Sequence, residues 1–327
     1  MPGIRLFTGI WCLFLAAPIP DHAEAQIPSY PVRPIRFIVP TTPAGPTDTL
    51  ARALSEPLSK ALGHQVVVDN RPGAGGRIGI GVAAKSAADG YTIFMGSQGN
   101  LTVHPALHHT LPYDLDQDFA PVVLLVRVRY LLLVNPRVPA SNLADLLQLL
   151  RSRPGQFNFA SVGIGSTQHI GAELLKKMTQ VDFVSVQYKG SGPALGALVS
   201  GEVQLMFQSP VVGAPFVETG RLRAIAISAP RRSPLFPGVP TFEESGLPDF
   251  ELSTWFGIMT RAGVPSAIVT RLNEEINRIL RMDDVRARLT TLDAEPAGGS
   301  VSEFSTHIRS ERVKWARVIK ETGIVID

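Results

Sequence analysis

Few groupings in the 327-residue chain combine residue types and spacings that could do chemistry. Gly79-Ile80-Gly81-Val82-Ala83-Ala84 has the G-x-G-x-x-A spacing that lets backbone approach a dinucleotide pyrophosphate. That chemistry needs the first glycine directly after a strand, at a helix N-terminus. Here the glycines follow a long turn and fall inside a helical stretch, so nucleotide binding is not expected. Met95-Gly96-Ser97-Gln98-Gly99 approaches a nucleophile elbow but lacks its first glycine. His104, His108 and His109 are closely spaced, yet no carboxylate stands beside them. They read as a solvated loop, because a metal site needs three or four converging ligands. The single cysteine, Cys12, excludes a disulfide framework and a cysteine-based zinc site. No nucleophile–base pair is evident, so no catalytic residue, metal or cofactor is expected.

One pattern does recur: a strand, a Gly- or Ser-containing loop, and a helix start. It occurs at residues 39–48, 95–102 and 160–170. A helix N-terminus leaves backbone N–H groups unpaired, and these attract anions. In open α/β sheets such loops lie at the carboxyl ends of strands, where ligands bind. Two readings stay open: ordinary helix caps, or loops from two lobes converging on one cleft as a carboxylate clamp.

The elements that would position these loops follow an alternating rhythm. Ile35–Val39 reads as a buried strand. A helix starts at Asp48, with Leu50, Ala53, Leu54, Leu58 and Leu62 at helical spacing, and stops at Gly63. Residues 65–68 form a second strand, 70–76 a long turn, and the following helix runs to Ala88. Residues 91–95 form a third strand, and this β-α-β-α-β order predicts a parallel sheet covered by helices. A second cycle begins after Phe119. Residues 122–134 are β-prone and 143–150 helical; 157–161, 183–187, 203–208 and 222–228 are strands. Helices are expected up to Met178 and across 193–200. Four prolines mark 229–240 as irregular. After a strand at 255–259 the remainder reads as helical, over 265–281, 283–292 and 301–322. The fold class is therefore α/β with two similar lobes, although no internal repeat is evident.

Composition agrees with a folded chain: 45% of residues are apolar, 18% are charged, and the net charge is +3. No basic stripe appears, which argues against a nucleic-acid partner. Residues 6–17 are apolar but too few to span a bilayer. They precede Ala23-Glu24-Ala25, a small-x-small cleavage pattern, so residues 1–25 read as a signal peptide and the mature chain as starting at Gln26. Cleavage would remove Cys12, which suits an oxidising compartment outside the inner membrane.

An ordered set of segments carries a resemblance. It includes Tyr30-Pro31-Val32-Arg33-Pro34-Ile35, Asp69-Asn70-Arg71-Pro72-Gly73-Ala74-Gly75-Gly76 and Asp89-Gly90-Tyr91-Thr92. Leu111-Pro112-Tyr113-Asp114, Asp118-Phe119-Ala120-Pro121-Val122, Gly165-Ser166-Thr167-Gln168-His169, Tyr188-Lys189-Gly190 and Trp255-Phe256-Gly257 continue it. Together they resemble the extracytoplasmic receptors of tripartite tricarboxylate transporters, the Bug family, across essentially the whole mature chain. The resemblance implies a two-lobed periplasmic binding protein (type II-like) with a ligand cleft between the lobes. It places residues 26–127 and 251–327 in the first lobe and 128–250 in the second. It also implies a periplasmic location, a small organic carboxylate as ligand, membrane subunits of a secondary transporter as partners, and a monomer.

By the resemblance, the ligand meets the loop after the first strand, at Thr41, Pro43, Ala44, Gly45 and Asp48, with Ser97 beside it. The opposing lobe supplies Gly165, Ser166, Thr167 and His169, then Tyr188, Lys189 and Gln208. The family loop commonly reads V-P-F-x-P-G-G-x-x-D, and here Thr41 replaces the aromatic and Ala44 the first glycine. Gln208 stands where an acidic residue often follows the Met-Phe strand end. Those two changes favour a non-amino organic acid, such as a di- or tricarboxylate or hydroxy acid, over an α-amino acid. Several of these residues also have ordinary structural readings. Asp48 is a favoured helix cap, and Ser166 and Thr167 either cap or contact ligand. His169 reads as a packed helix residue, Lys189 as a solvated turn lysine, and Arg71 as a partner for a protein carboxylate. Trp255 and Phe256 read as packing of a hinge strand. A carboxylate sensor, or an enzyme acting on a carboxylate, is the alternative function.

Overall fold

The structure, a computed structural model, describes residues 30–107 and 110–322. The expected signal peptide with Cys12 and Ala25, and His108 and His109, lie outside the described residues. The chain opens with β1 (Ile35–Val39), α1 (Pro46–Leu62), β2 (Val66–Asn70), a 3-10 turn (Ala74–Gly76), α2 (Arg77–Ala84) and β3 (Thr92–Ser97). A π-helical turn (Gly99–Val103) leads into the short helices α3 (His104–Leu107) and α4 (Leu115–Asp118), then β4 (Phe119–Arg129) and β5 (Leu131–Val134). The middle of the chain holds α5 (Leu143–Ser152), β6 (Asn158–Ser161), α6 (Thr167–Thr179), β7 (Val184–Gln187) and α7 (Ser191–Ser200). Next come β8 (Leu205–Gln208), α8 (Pro210–Glu218), β9 (Arg223–Ile227) and β10 (Ser253–Arg261). The remainder is α9 (Ser266–Leu280), α10 (Asp283–Thr291), β11 (Ala294–Pro296) and α11 (Val301–Thr322).

Two sheets form the cores of the two lobes. The six-stranded sheet has the order β11-β4-β10-β3-β1-β2 and the five-stranded sheet β7-β6-β8-β5-β9. β1 is parallel to β2 and β3, whereas β10 is antiparallel to both β3 and β4. In the second sheet β6 is parallel to β7 and β8, and β5 is antiparallel to β8 and β9. Each sheet thus repeats one scheme: three parallel strands in the order second-first-third, then an inserted antiparallel strand, then the fourth. This structural repeat has no counterpart in sequence. The three strands of the first β-α-β-α-β unit are parallel as expected, and β10 and β4 make the whole sheet a mixed one. The reason is directional: β5 and β10 arrive from the other lobe, at the edge where the parallel strands end, so they must run away from it.

Other differences are local. The β-prone stretch 122–134 divides at Tyr130 into β4 and β5, which belong to different sheets. Helix α8 lies where no helix was expected: Pro210 suits the first helical position, and Pro215 sits inside the helix. The stretch around His104, expected as solvated loop, is helical, and His104 is only 4% exposed. The C-terminal stretch is not wholly helical, because β11 adds an edge strand against β4.

Central strand β1 is apolar on both faces, with Ile35, Phe37, Ile38 and Val39 completely buried. Each such side chain gains roughly 1.5–3 kcal/mol on leaving water, which favours the centre of a sheet covered on both faces. In β10, a Cβ on Gly257 would collide with the Phe304 ring of α11, so glycine is what lets that helix lie on the strand. Glu311 of α11 then ties three elements together. Its Oε2 accepts from Gln98 Nε2 at 3.0 Å, Trp255 Nε1 at 3.2 Å and Trp315 Nε1 at 3.0 Å.

The β1–α1 loop is held by one buried carboxylate. Gly45 is the N-cap of α1 and Pro46 opens the helix, so Asp48 is the third helical residue and not the N-cap expected. Its side chain reaches back to accept from Ala44 N at 2.9 Å, in the manner of a capping box. Arg52 Nε, at 3.0 Å, and Asn70 Nδ2, at 3.0 Å, also donate to it. Asn70 Nδ2 extends the network to the Thr41 carbonyl at 3.2 Å. Burial works to raise the Asp48 carboxyl, but the bonds from Arg52, Ala44 and Asn70 outweigh it and hold the group below its ordinary value.

Two outcomes follow for this loop. Ala44 has φ 62°, in the left-handed region where a Cβ is strained. Ala44→Gly should raise unfolding stability by about 0.5–1 kcal/mol, the left-handed cost less the glycine chain entropy, read as a higher urea midpoint; a lower midpoint would refute the strain. Because the folded carboxyl of Asp48 titrates below its unfolded value, its stabilisation is complete above about pH 4 and disappears as pH falls through the folded value. Asp48→Asn should therefore be clearly less stable than wild type at pH 7, with the deficit shrinking by pH 3. A deficit that grows on acidification would contradict the sign.

Candidate functional site

A cavity of about 580 Å³ lies between the two sheets, at the edge where their parallel strands end. The first lobe lines it with Thr41, Thr42, Gly45 and Thr47 from the β1–α1 segment, and with the glycine-rich turn Pro72 to Gly76. Ser97, Asn100 and His104 follow from the end of β3 and the helical turns beyond, and Thr254 and Phe256 from β10. The second lobe supplies Gly163, Ser166, Thr167 and Gln168 before and at the start of α6, and Tyr188 to Ser191 before and at the start of α7. Tyr130, between β4 and β5, completes the lining.

Helix starts dominate this surface. No side chain caps α1 at Gly45 or α7 at Gly190, so neither helix spends its first-turn N–H groups on its own N-cap side chain. At α6 the N-cap is Ser166, whose Oγ accepts from His169 N at 3.2 Å. His169 Nδ1 in turn accepts from Gly165 N at 3.2 Å, which fixes the loop before the helix. Burial lowers the His169 imidazole, with Glu173 opposing and Lys176 reinforcing. A neutral ring that accepts through Nδ1 carries its proton on Nε2. Among the described residues that line the cavity there is no Asp, Glu or Arg. The basic groups there are Lys189, which is exposed, and buried His104. Thr41 Oγ1 is shielded from solvent and has no hydrogen-bond partner.

Tyr188 turns its polar end aside, whereas the Tyr130 hydroxyl meets Thr167 of the cavity lining. Tyr188 Oη donates to Glu202 Oε1 at 2.8 Å, and burial followed by that carboxylate pushes its phenol up to about 12. Tyr130 is pushed up to about 12 by burial, while its hydrogen bond with Thr167 pulls the other way.

Of the positions the sequence singled out, the structure brings together Thr41, Gly45, Ser97, Ser166, Thr167, Tyr188 and Lys189 around the cavity. Pro43, Ala44, Asp48, Gly165 and His169 are not in its lining; Ala44, Asp48, Gly165 and His169 shape the loops that are. Gln208, expected to border the cleft, is a correction. It is completely buried, and its Oε1 accepts from Ser209 N at 2.9 Å. Strand alternation puts it on the same face of β8 as Met206, the face packed by α7 and α8. A Cβ placed on Gly213 of α8 would lie 3.5 Å from Gln208 Cγ. Arg71 pairs with Asp69 at 3.0 Å, the protein carboxylate expected for it. Sequence reasoning missed Asn100, His104, Tyr130, Thr254 and the inward face of Phe256. The signal for the last three was topological, since a chain that changes lobes must pass the cleft edge. Among the described residues no group of His, Cys, Asp and Glu could hold a metal ion, and no helix is long and apolar enough to cross a membrane.

Residues 50–324 match the tripartite tricarboxylate transporter family receptor. Protein BugT of Bordetella pertussis is 38% identical over 302 residues, 92% of this chain and 93% of its own. Among solved structures, R. palustris Rpa4515 with adipate is similar at a TM-score of 0.88 and 36% identity, covering 90% of this chain and 99% of that one. MatC from Rhodopseudomonas palustris with bound malate has a TM-score of 0.82 and 35% identity, over 89% of this chain and all (100%) of that one. With a family match across most of its length and the same two-lobed fold, the chain belongs to the receptor family of the tripartite tricarboxylate transporters.

Proposed function

We propose that this protein is a periplasmic solute receptor that closes on a small organic carboxylate and delivers it to the membrane subunits of a secondary transporter. The observation that carries the reading is the cavity itself: helix starts from both lobes face one space whose lining, among the described residues, has no acidic side chain. Oriented N–H groups and hydroxyls favour an anion there. Related receptors solved with adipate and malate support the ligand class. A ligand ammonium would find no carboxylate partner in the lining, so the ligand is a non-amino acid. That conclusion rests on the lining and no longer on Gln208. The ligand leaves unchanged, and the protein works as a monomer. Export removes residues 1–25 by cleavage after Ala25. Residues 26–127 with 251–327, and 128–250, act as the moving bodies, and the connections through Tyr130 and the segment before β10 absorb the rotation.

A thermal-shift screen of organic carboxylates tests the function. A saturating ligand at 100 times its Kd adds about 2.7 kcal/mol of stability; a panel in which no carboxylate raises the melting temperature would refute it. Closure should appear as a smaller radius of gyration in scattering at saturation, and unchanged dimensions would count against it. The unpartnered hydroxyl of Thr41 gives a sign-split outcome. Thr41→Val should leave the unliganded protein as stable or more stable, yet weaken carboxylate binding about tenfold or more, since hydrogen bonds to charged groups contribute about 1.5–3 kcal/mol. Unchanged affinity in titration calorimetry would remove Thr41 from the site.

A further inference from the structure

Resting on the receptor reading for what closure encloses, we infer that Ile170 of the second lobe, seated in an apolar socket of the first, is a closing latch. It holds a share of the molecules closed before ligand arrives, and so sets affinity without touching ligand.

Ile170 lies in the first turn of α6, just past Thr167 and Gln168 of the cavity lining. It packs in one cluster with Val103 of the π-helical turn, Leu107 of α3, and Trp315 and Ile319 of α11, all from the first lobe. These side chains are at most 9% exposed, and none of them lines the cavity. Gly165 lets the lobes approach beside them. A Cβ there would lie 2.5 Å from Leu107 Cδ1 across the seam, and its φ of 77° suits glycine. Trp315 is fixed in turn by its bond to Glu311, which also holds Gln98, the neighbour of Ser97 in the cavity wall.

Rotation of one lobe against the other parts Ile170 from its four neighbours and returns their apolar surface to water, which is unfavourable. A polar contact between the lobes has no such bias. Ser233 Oγ, beyond β9, donates to Asp293 Oδ1, before β11, at 2.8 Å, and polar groups that separate exchange each other for water at little net cost. The apolar socket therefore favours the closed arrangement, and ligand supplies the rest. A receptor whose binding-competent form is already partly populated loses less of its intrinsic affinity to closure. Ile170 is thus a positioning residue: it acts through the lobe it holds.

Small-angle scattering of the mature protein, refolded from urea to strip any carried acid, tests the latch before ligand is added. Ile170→Ala, and Ile319→Ala from the opposite lobe, should each have a larger radius of gyration than wild type. Ile170→Leu, which keeps the apolar bulk, should stay close to wild type. Circular dichroism identifies the folded variants, and if one alanine variant does not fold the other carries the test. Titration calorimetry with adipate, malate and benzoate should then show both alanine variants binding about fivefold or more weakly than wild type. Unchanged dimensions in a folded alanine variant, or expansion with unchanged affinity, overturns the latch and leaves the receptor reading intact. Expansion of the variants beside a wild type that binds none of the three acids overturns the carboxylate reading and leaves the latch.

Discussion

The arrangement depends on one constraint: the chain changes lobes at the same sheet edge where the parallel strands end. β4 ends there and passes through Tyr130 into β5, and β10 starts there on the return. Because β5 and β10 leave from that edge, they run antiparallel to their neighbours in both sheets. Every helix that follows a parallel strand starts at that edge too. The cavity is therefore flanked by crossing segments and helix N-termini together, a backbone geometry that favours an anion.

Holding that edge in shape falls to groups that do not line the cavity. Asp48 gathers Ala44, Arg52 and Asn70 and, through Asn70, the Thr41 carbonyl. His169 holds Gly165, and Glu311 joins the end of β3, β10 and α11. Apart from Lys189 and His104, which line the cavity, ionisable residues thus sit behind the loops, paired and largely spent. The cavity is left with hydroxyls, glycine-rich backbone and aromatic faces.

Much of the fold was legible because the strands are short apolar runs and the helices have helical apolar spacing. Leu50, Leu54 and Leu58 of α1 are buried as their spacing implies, and Gly63 ends the helix at φ 71°. Helix α8 escaped because its apolar residues lack a polar face and two prolines interrupt them. His104 escaped because a π-helical turn has no recognisable spacing, so its neighbourhood read as loop. Gln208 was placed on the wrong face because a strand end does not reveal which side neighbouring helices cover.

Local sequence determined the order of most elements and the three strand–loop–helix starts. Those properties depend on side-chain type and on spacing within a few residues, where local propensity and periodicity act. Tertiary structure alone decided that loops separated by more than a hundred residues share one space, that each sheet takes in a strand from the crossing chain, and that Gln208 faces away. These depend on how two sheets pack and where the chain crosses between them, contacts between distant residues that no local pattern encodes.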